Sequence, residues 1–202
     1  MGTSKKLAAV GIPLLWSNVL LPRLALGMRS RTAANAAFAT AYSLTFHGRP
    51  NWLSRRGLRW GVGAGAVVVA GYAAALAIPP LRARITTFTD RAPEVPLAEW
   101  VLVHIPIGTV YSEELIFRGT LDPFLGRPGN WLSPLTFGLW HIHPARAAGD
   151  NILTTIAATT AAGTAFSYLR RRTDSTTTPA LLHFALNAGG AVAPQLATHP
   201  EP

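Results

Sequence analysis

The sequence predicts an all-α fold, a polytopic transmembrane bundle of about six to eight helices around a polar cavity. Three observations lead there. Hydrophobic residues make up 49% of the 202 positions and charged residues 13%, against the ~25% charged that is usual in soluble domains. The charges cluster between long uncharged runs, several of which approach or exceed the ~20 residues a helix needs to cross a bilayer. A few carboxylates, imidazoles and a guanidinium nevertheless stand inside apolar stretches, where an ionisable group is a functional hypothesis by default.

The spans are expected in the following order. The first, Leu7 to Pro22, follows Lys5 and Lys6. It resembles the apolar part of a signal peptide, but Pro22 and Arg23 interrupt the approach to the small residues at Ala25-Leu26-Gly27, so it is expected to be retained. The second, Thr32 to His47, is short. The third, Trp60 to Pro80, is uncharged and carries Gly61 and Gly65 at the GxxxG spacing that lets helices approach closely. Arg82 to Pro96, with three Arg, Asp90, Glu94 and two Pro, reads as an interfacial loop. Leu97 to Phe117, the short Trp131 to His143, Asn151 to Leu169 and Thr178 to Pro194 complete the set. The short spans are expected to be tilted, re-entrant or buried in protein. One integral-membrane domain over residues 1–202 is expected, with Lys and Arg distributed in favour of a cytoplasmic N-terminus.

Composition also narrows the function. A net charge of +9 raises nucleic acid as a partner, but the Arg residues cap apolar runs instead of forming a stripe, so membrane lipid is the expected contact and nucleic acid is not. Cys is absent, which removes thiolate chemistry and thiolate metal sites. Sixteen Arg against two Lys, with abundant Ala and Thr, indicates a GC-rich bacterial genome and hence a bacterial cytoplasmic membrane.

Three segments carry the chemistry. In Glu113-Glu114-Leu115-Ile116-Phe117-Arg118-Gly119 the pair Glu114 and Arg118 falls at i and i+4 on one helical face, while Glu113 is rotated ~100° away. With Glu114 committed to Arg118, Glu113 is the candidate general base. Taken alone, the segment reads equally well as an interfacial ion pair with a snorkelling Arg. Phe137-Gly138-Leu139-Trp140-His141 supplies an imidazole one turn beyond a Phe. His183-Phe184-Ala185-Leu186-Asn187 puts an imidazole and a carboxamide on one face, where both can donate to a developing oxyanion or clasp two helices together. His143, two residues from His141, is expected to point ~200° away from it, and His104 nearly opposite Glu113. His47 and His199 receive no role.

Taken in this order, the motifs resemble those of the CAAX protease and bacteriocin-processing family, also called the type II CAAX prenyl endopeptidase or abortive-infection family. The resemblance covers residues 97 to 194. It implies an intramembrane endopeptidase acting on membrane-associated proteins or peptides, in which Glu113 with His141 activates water and His183 with Asn187 stabilises the tetrahedral intermediate. Glu114 and Arg118 act as positioning partners. Glu113, His141 and His183 also form a His₂Glu set of the kind that holds catalytic zinc. The metal-free scheme, with no cofactor, is favoured because no HExxH motif is present and Asn is a poor zinc ligand. A chain shorter than the eukaryotic prenyl-protein enzymes puts prenyl recognition in doubt. The other function considered is a non-catalytic membrane protein of immunity or binding type, in which the same residues serve helix packing.

Overall fold

The computed structural model describes residues 2–91 and 93–198, and among these the chain is helical with no strand. His199 lies outside the described residues. Each predicted span is matched by a helix. Helix α1 covers residues 3–23, α-helical over Thr3–Leu15 and Leu21–Arg23 with a wider π turn at Trp16–Leu20 between them. Helix α2 is Met28–Thr45 and α3 is Arg55–Ala77. The Ser54 hydroxyl caps α3 by accepting from the Gly57 amide at 3.0 Å. The segment expected to be a loop instead opens with a short helix, α4, Pro79–Thr86, followed by a 3₁₀ turn at Thr89–Arg91. Pro79 and Pro80 start α4 where missing amide donors cost nothing.

Helix α5 runs over residues 97–125, past the expected end at Phe117. Two stretches of it, Trp100–Tyr111 and Phe117–Leu121, are wound as π-helix. Pro106 within the first lacks the amide a regular ladder requires. The i−5 spacing recurs in the side chains: Ser112 Oγ donates to the Ile107 carbonyl at 2.9 Å and Thr120 Oγ1 to the Leu115 carbonyl at 2.8 Å. Gly126, with φ of 66°, ends the helix in a conformation that favours glycine.

Helices α6, Gly129–Trp140, and α7, Ile142–Ala147, are separated by a break at His141. Helix α8, Ile152–Thr173, is capped by Asn151, which accepts from the Thr154 amide at 3.0 Å. Its last turn contains Arg170, Arg171 and Arg172. Cations there complement the helix dipole. Helix α9 is Thr177–Thr198.

Two pairings position the site. Helix α9 lies along α3, with Gly61 so close that a methyl there would stand 2.7 Å from Leu181 Cδ1. Helix α8 lies along α6, where a methyl on Gly138 would stand 2.8 Å from the Ile156 carbonyl. Helix α1 is tied to the end of α6: Ser17 Oγ donates to the Trp140 carbonyl at 2.7 Å and Asn18 Nδ2 to the Leu139 carbonyl at 3.0 Å.

Of the described helices, Arg55–Ala77 and Ile152–Thr173 are long and apolar enough to cross a membrane, with mean hydropathy 1.6 and 1.2. The other predicted spans are shorter, subdivided by π turns or more polar. Large apolar side chains such as Leu44, Leu53, Val67, Leu102 and Leu153 face outward.

Candidate active site

Helix α5 passes through the centre of the fold, and every residue from Ser112 to Asp122 is buried. Arg118 is fully buried and its guanidinium is held on several sides. It donates through Nη1 to Glu114 Oε1 at 3.3 Å and through Nη2 to the Gly163 carbonyl of α8 at 3.2 Å. Its Cζ lies 4.3 Å from the ring centroid of Phe137 and 5.0 Å from that of Phe166. Gly163 allows this approach, since a methyl on it would come within 3.2 Å of Arg118 Nη2.

His183 reaches the same place from α9. Its Nδ1 lies 2.8 Å from Glu114 Oε1, and its Nε2 lies 3.7 Å from Glu113 Oε2. With the Glu114 carboxylate as acceptor, Nδ1 carries the proton and the Nε2 lone pair faces Glu113. The imidazole stacks on Phe166 at 4.9 Å and meets Phe137 edge-on at 6.0 Å. Phe137 therefore touches three polar groups at once, because His141 also packs against its ring, at 4.8 Å.

Glu113 is held by a residue the motif reading passed over. Trp140 Nε1 donates to Glu113 Oε1 at 3.1 Å, while Glu113 Oε2 is buried and accepts no hydrogen bond. The signal was present in the sequence: a buried indole needs an acceptor for its N–H, and Trp140 directly precedes His141. Both Glu113 and His141 line a cavity of about 580 Å³, together with Ser17, Asn35 and Trp140. His141 Nδ1 donates to the Phe137 carbonyl at 2.7 Å, which leaves Nε2 as its acceptor atom.

The structure thus brings Glu113, Glu114, Arg118 and His183 into contact, and His141 into the cavity beside Glu113. Asn187 stands apart. Its Nδ2 donates to the His183 carbonyl of its own helix at 3.1 Å, and it lines a neighbouring cavity of about 680 Å³ with Phe88, Trp100 and Gln195. Ala148 walls both cavities. His143 corrects an expectation, since it lines the Glu113 cavity with His141. The break between α6 and α7 at His141 invalidates a rotation computed along one continuous helix. His104 is engaged elsewhere, between Thr32 Oγ1 at 2.7 Å and Glu99 at 3.1 Å, with Arg29 closing the network onto Glu99.

Among the described residues no three His, Cys, Asp or Glu side chains form a group that could hold a metal ion. The Nδ1 atoms of His141 and His183 are engaged by the Phe137 carbonyl and Glu114, which leaves both Nε2 atoms open.

Comparison with known proteins follows the same segment. Residues 95–189 match the family model described as type II CAAX prenyl endopeptidase Rce1-like. This part of the chain is similar to Rce1-like domains. It runs from just before α5 into the middle of α9 and so takes in all the motif residues, Asn187 included. The Rce1-like family comprises membrane proteases acting on protein or peptide substrates. No curated protein and no solved structure matches the chain.

Proposed function

We propose that this protein is an intramembrane endopeptidase of a bacterial cytoplasmic membrane, hydrolysing peptide bonds of membrane-associated proteins or peptides. In this reading the helices form one polytopic bundle over residues 1–202, with water reaching the Glu113 cavity within the membrane. The observation that carries the proposal is the pair formed by Glu113 Oε2 and His183 Nε2. Both are buried, and at 3.7 Å they are too far apart for a direct hydrogen bond but suitably spaced to share one water.

The chemistry needs no metal or cofactor. Glu113 Oε2 takes a proton from the water, and the hydroxide attacks the carbonyl carbon of a peptide bond lying in the cavity. Nε2 of His141 and of His183 can each accept the water's other hydrogen and so orient its lone pair. When the C–N bond breaks, Glu113 returns the proton to the leaving amine. Glu113 and not Glu114 is assigned as the base because Glu113 lines the cavity, whereas Glu114 is fully buried with Arg118 and His183 both engaging its Oε1. Glu114 fixes the tautomer and direction of His183 instead. Asn187, whose Nδ2 donates to the His183 carbonyl and which lines the neighbouring cavity, serves as oxyanion donor only if its side chain turns toward the Glu113 cavity when substrate binds.

The test is Glu113→Gln in proteoliposomes, with new protein termini in the membrane fraction compared against the native chain. Loss of those termini with normal expression and thermal unfolding is expected. Cleavage that persists would remove the base assignment. Loss of function only in step with loss of folded protein would favour the non-catalytic immunity or binding protein.

A further inference from the structure

Asp122 lies outside all three motifs, yet it is one of the few buried charges in the molecule. It is 8% exposed, and neither carboxyl oxygen accepts a hydrogen bond. It therefore does not cap the turn that it begins, Asp122–Leu125. Its neighbours are the hydroxyls of Ser133 on α6 and Ser167 on α8. These are 1% and 0% exposed, and they too lack a partner. Arg118 acts on Asp122 electrostatically from the same helix, and Arg171 does so from α8. The Arg118 Nε is buried without a partner as well.

Such a group of unpaired polar atoms is costly in an apolar interior. The cost falls if the atoms serve one another. Serine hydroxyls rotate freely and can donate to a carboxylate, and Arg118 has opposite charge and an uncommitted N–H. The polar cluster is linked to the proposed catalytic residues through Arg118. Arg118 joins Glu114, Glu114 joins His183, and His183 faces Glu113.

We infer that Asp122, with Ser133 and Ser167, is a rear anchor for Arg118 and a positioning residue for the proteolytic site. Glu114 draws the guanidinium toward the cavity and Asp122 draws it back, so that the plane stays between Phe137 and Phe166 with Nη1 aimed at Glu114. Asp122 is connected to His183 through Arg118 and Glu114. The inference rests on the proteolytic reading for its kinetic consequence but not for its structural one.

The experiment uses the full chain in detergent micelles, with Asp122→Asn and, separately, the pair Ser133→Ala and Ser167→Ala. One arm records imidazole ¹⁵N resonances of His183, assigned by comparison with His183→Gln. The other measures turnover of an internally quenched, lipid-anchored peptide cleaved by the native chain. Asp122→Asn is expected to move the His183 Nδ1 resonance and to lower kcat by ~10- to 100-fold at unchanged KM, as for a small misplacement of a catalytic group. The serine pair is expected to do the same to a smaller degree. Native His183 resonances in both variants would overturn the inference, as would activity losses that merely follow the folded fraction. If Asp122→Asn does not fold, the serine pair decides. If Glu113→Gln still cleaves, the proteolytic reading fails and the resonance arm alone judges the anchor.

Discussion

The Nδ1 atom of His183 lies 2.8 Å from Oε1 of Glu114, the same oxygen that receives Arg118 from one turn further along α5 at 3.3 Å. One carboxylate oxygen thus joins two helices and carries a donor from each. Glu114 and Arg118 are both fully buried, so their interaction is little screened by solvent. Adjacent glutamates acquire different surroundings from this arrangement: Glu114 directs an imidazole from a fully buried position, and Glu113 lines the cavity.

Arg118→Lys retains the charge and loses the geometry. An ammonium cannot reach Glu114 and the Gly163 carbonyl in one plane while stacking on Phe137 and Phe166. Removing one partner of a buried ion pair costs about 3–5 kcal/mol, and a lysine that reaches only one acceptor recovers part of that. The expected outcome is a lower unfolding temperature in detergent together with lost cleavage.

Trp140→Phe deletes the donor to Glu113 Oε1 and nearly preserves the ring packing. Hydrogen bonds to charged groups contribute about 1.5–3 kcal/mol. If half of that is lost in the transition state, kcat falls ~4- to 13-fold, and the unfolding temperature falls as well because the buried Glu113 Oε1 is left unpaired. Steady-state kinetics alongside a melting curve checks both parts.

Gly163→Val tests the close approach of α8 to the site. A methyl at Gly163 already stands 3.0 Å from Phe137 Cδ1 and 3.3 Å from Pro134 Cα, so a branched side chain forces the helices apart. Overpacking of this kind costs about 1–3 kcal/mol. Cleavage should fall further than stability, because Nη2 of Arg118 loses the Gly163 carbonyl.

Treatment with EDTA or 1,10-phenanthroline should leave turnover unchanged, and added zinc should not raise it. A chelator-sensitive activity restored by stoichiometric zinc would replace the water-activation scheme with a metal-based one.

Much of this was legible in the sequence. The uncharged runs mark where α1, α2, α3, α6, α8 and α9 lie, whereas α5 carries charges within the span expected at Leu97 to Phe117. The i, i+4 relation of Glu114 and Arg118 likewise appears as a contact. Less visible was whatever depends on a change of helical winding or on partners far away in sequence. The face of His143 was misjudged because α6 stops at His141. The separation of Asn187 from the Glu113 cavity reflects a carboxamide bonded back to its own helix, a choice of rotamer that spacing does not record. Trp140 and Asp122 acquire their significance only when α5, α6 and α8 are brought together, since no local pattern connects them.

The π winding of Trp100–Tyr111 makes the number of residues in this stretch a specification in its own right. A wide turn holds more residues than a standard one, so deleting a residue here would yield a smoother and equally hydrophobic segment with its downstream half rotated by ~100°. Both glutamates would then leave their partners with no side chain of the site altered. Substitutions on the outward-facing side of this stretch, at Leu102, Val103 and Ile107, are therefore expected to be mild, whereas changes to its residue count are not.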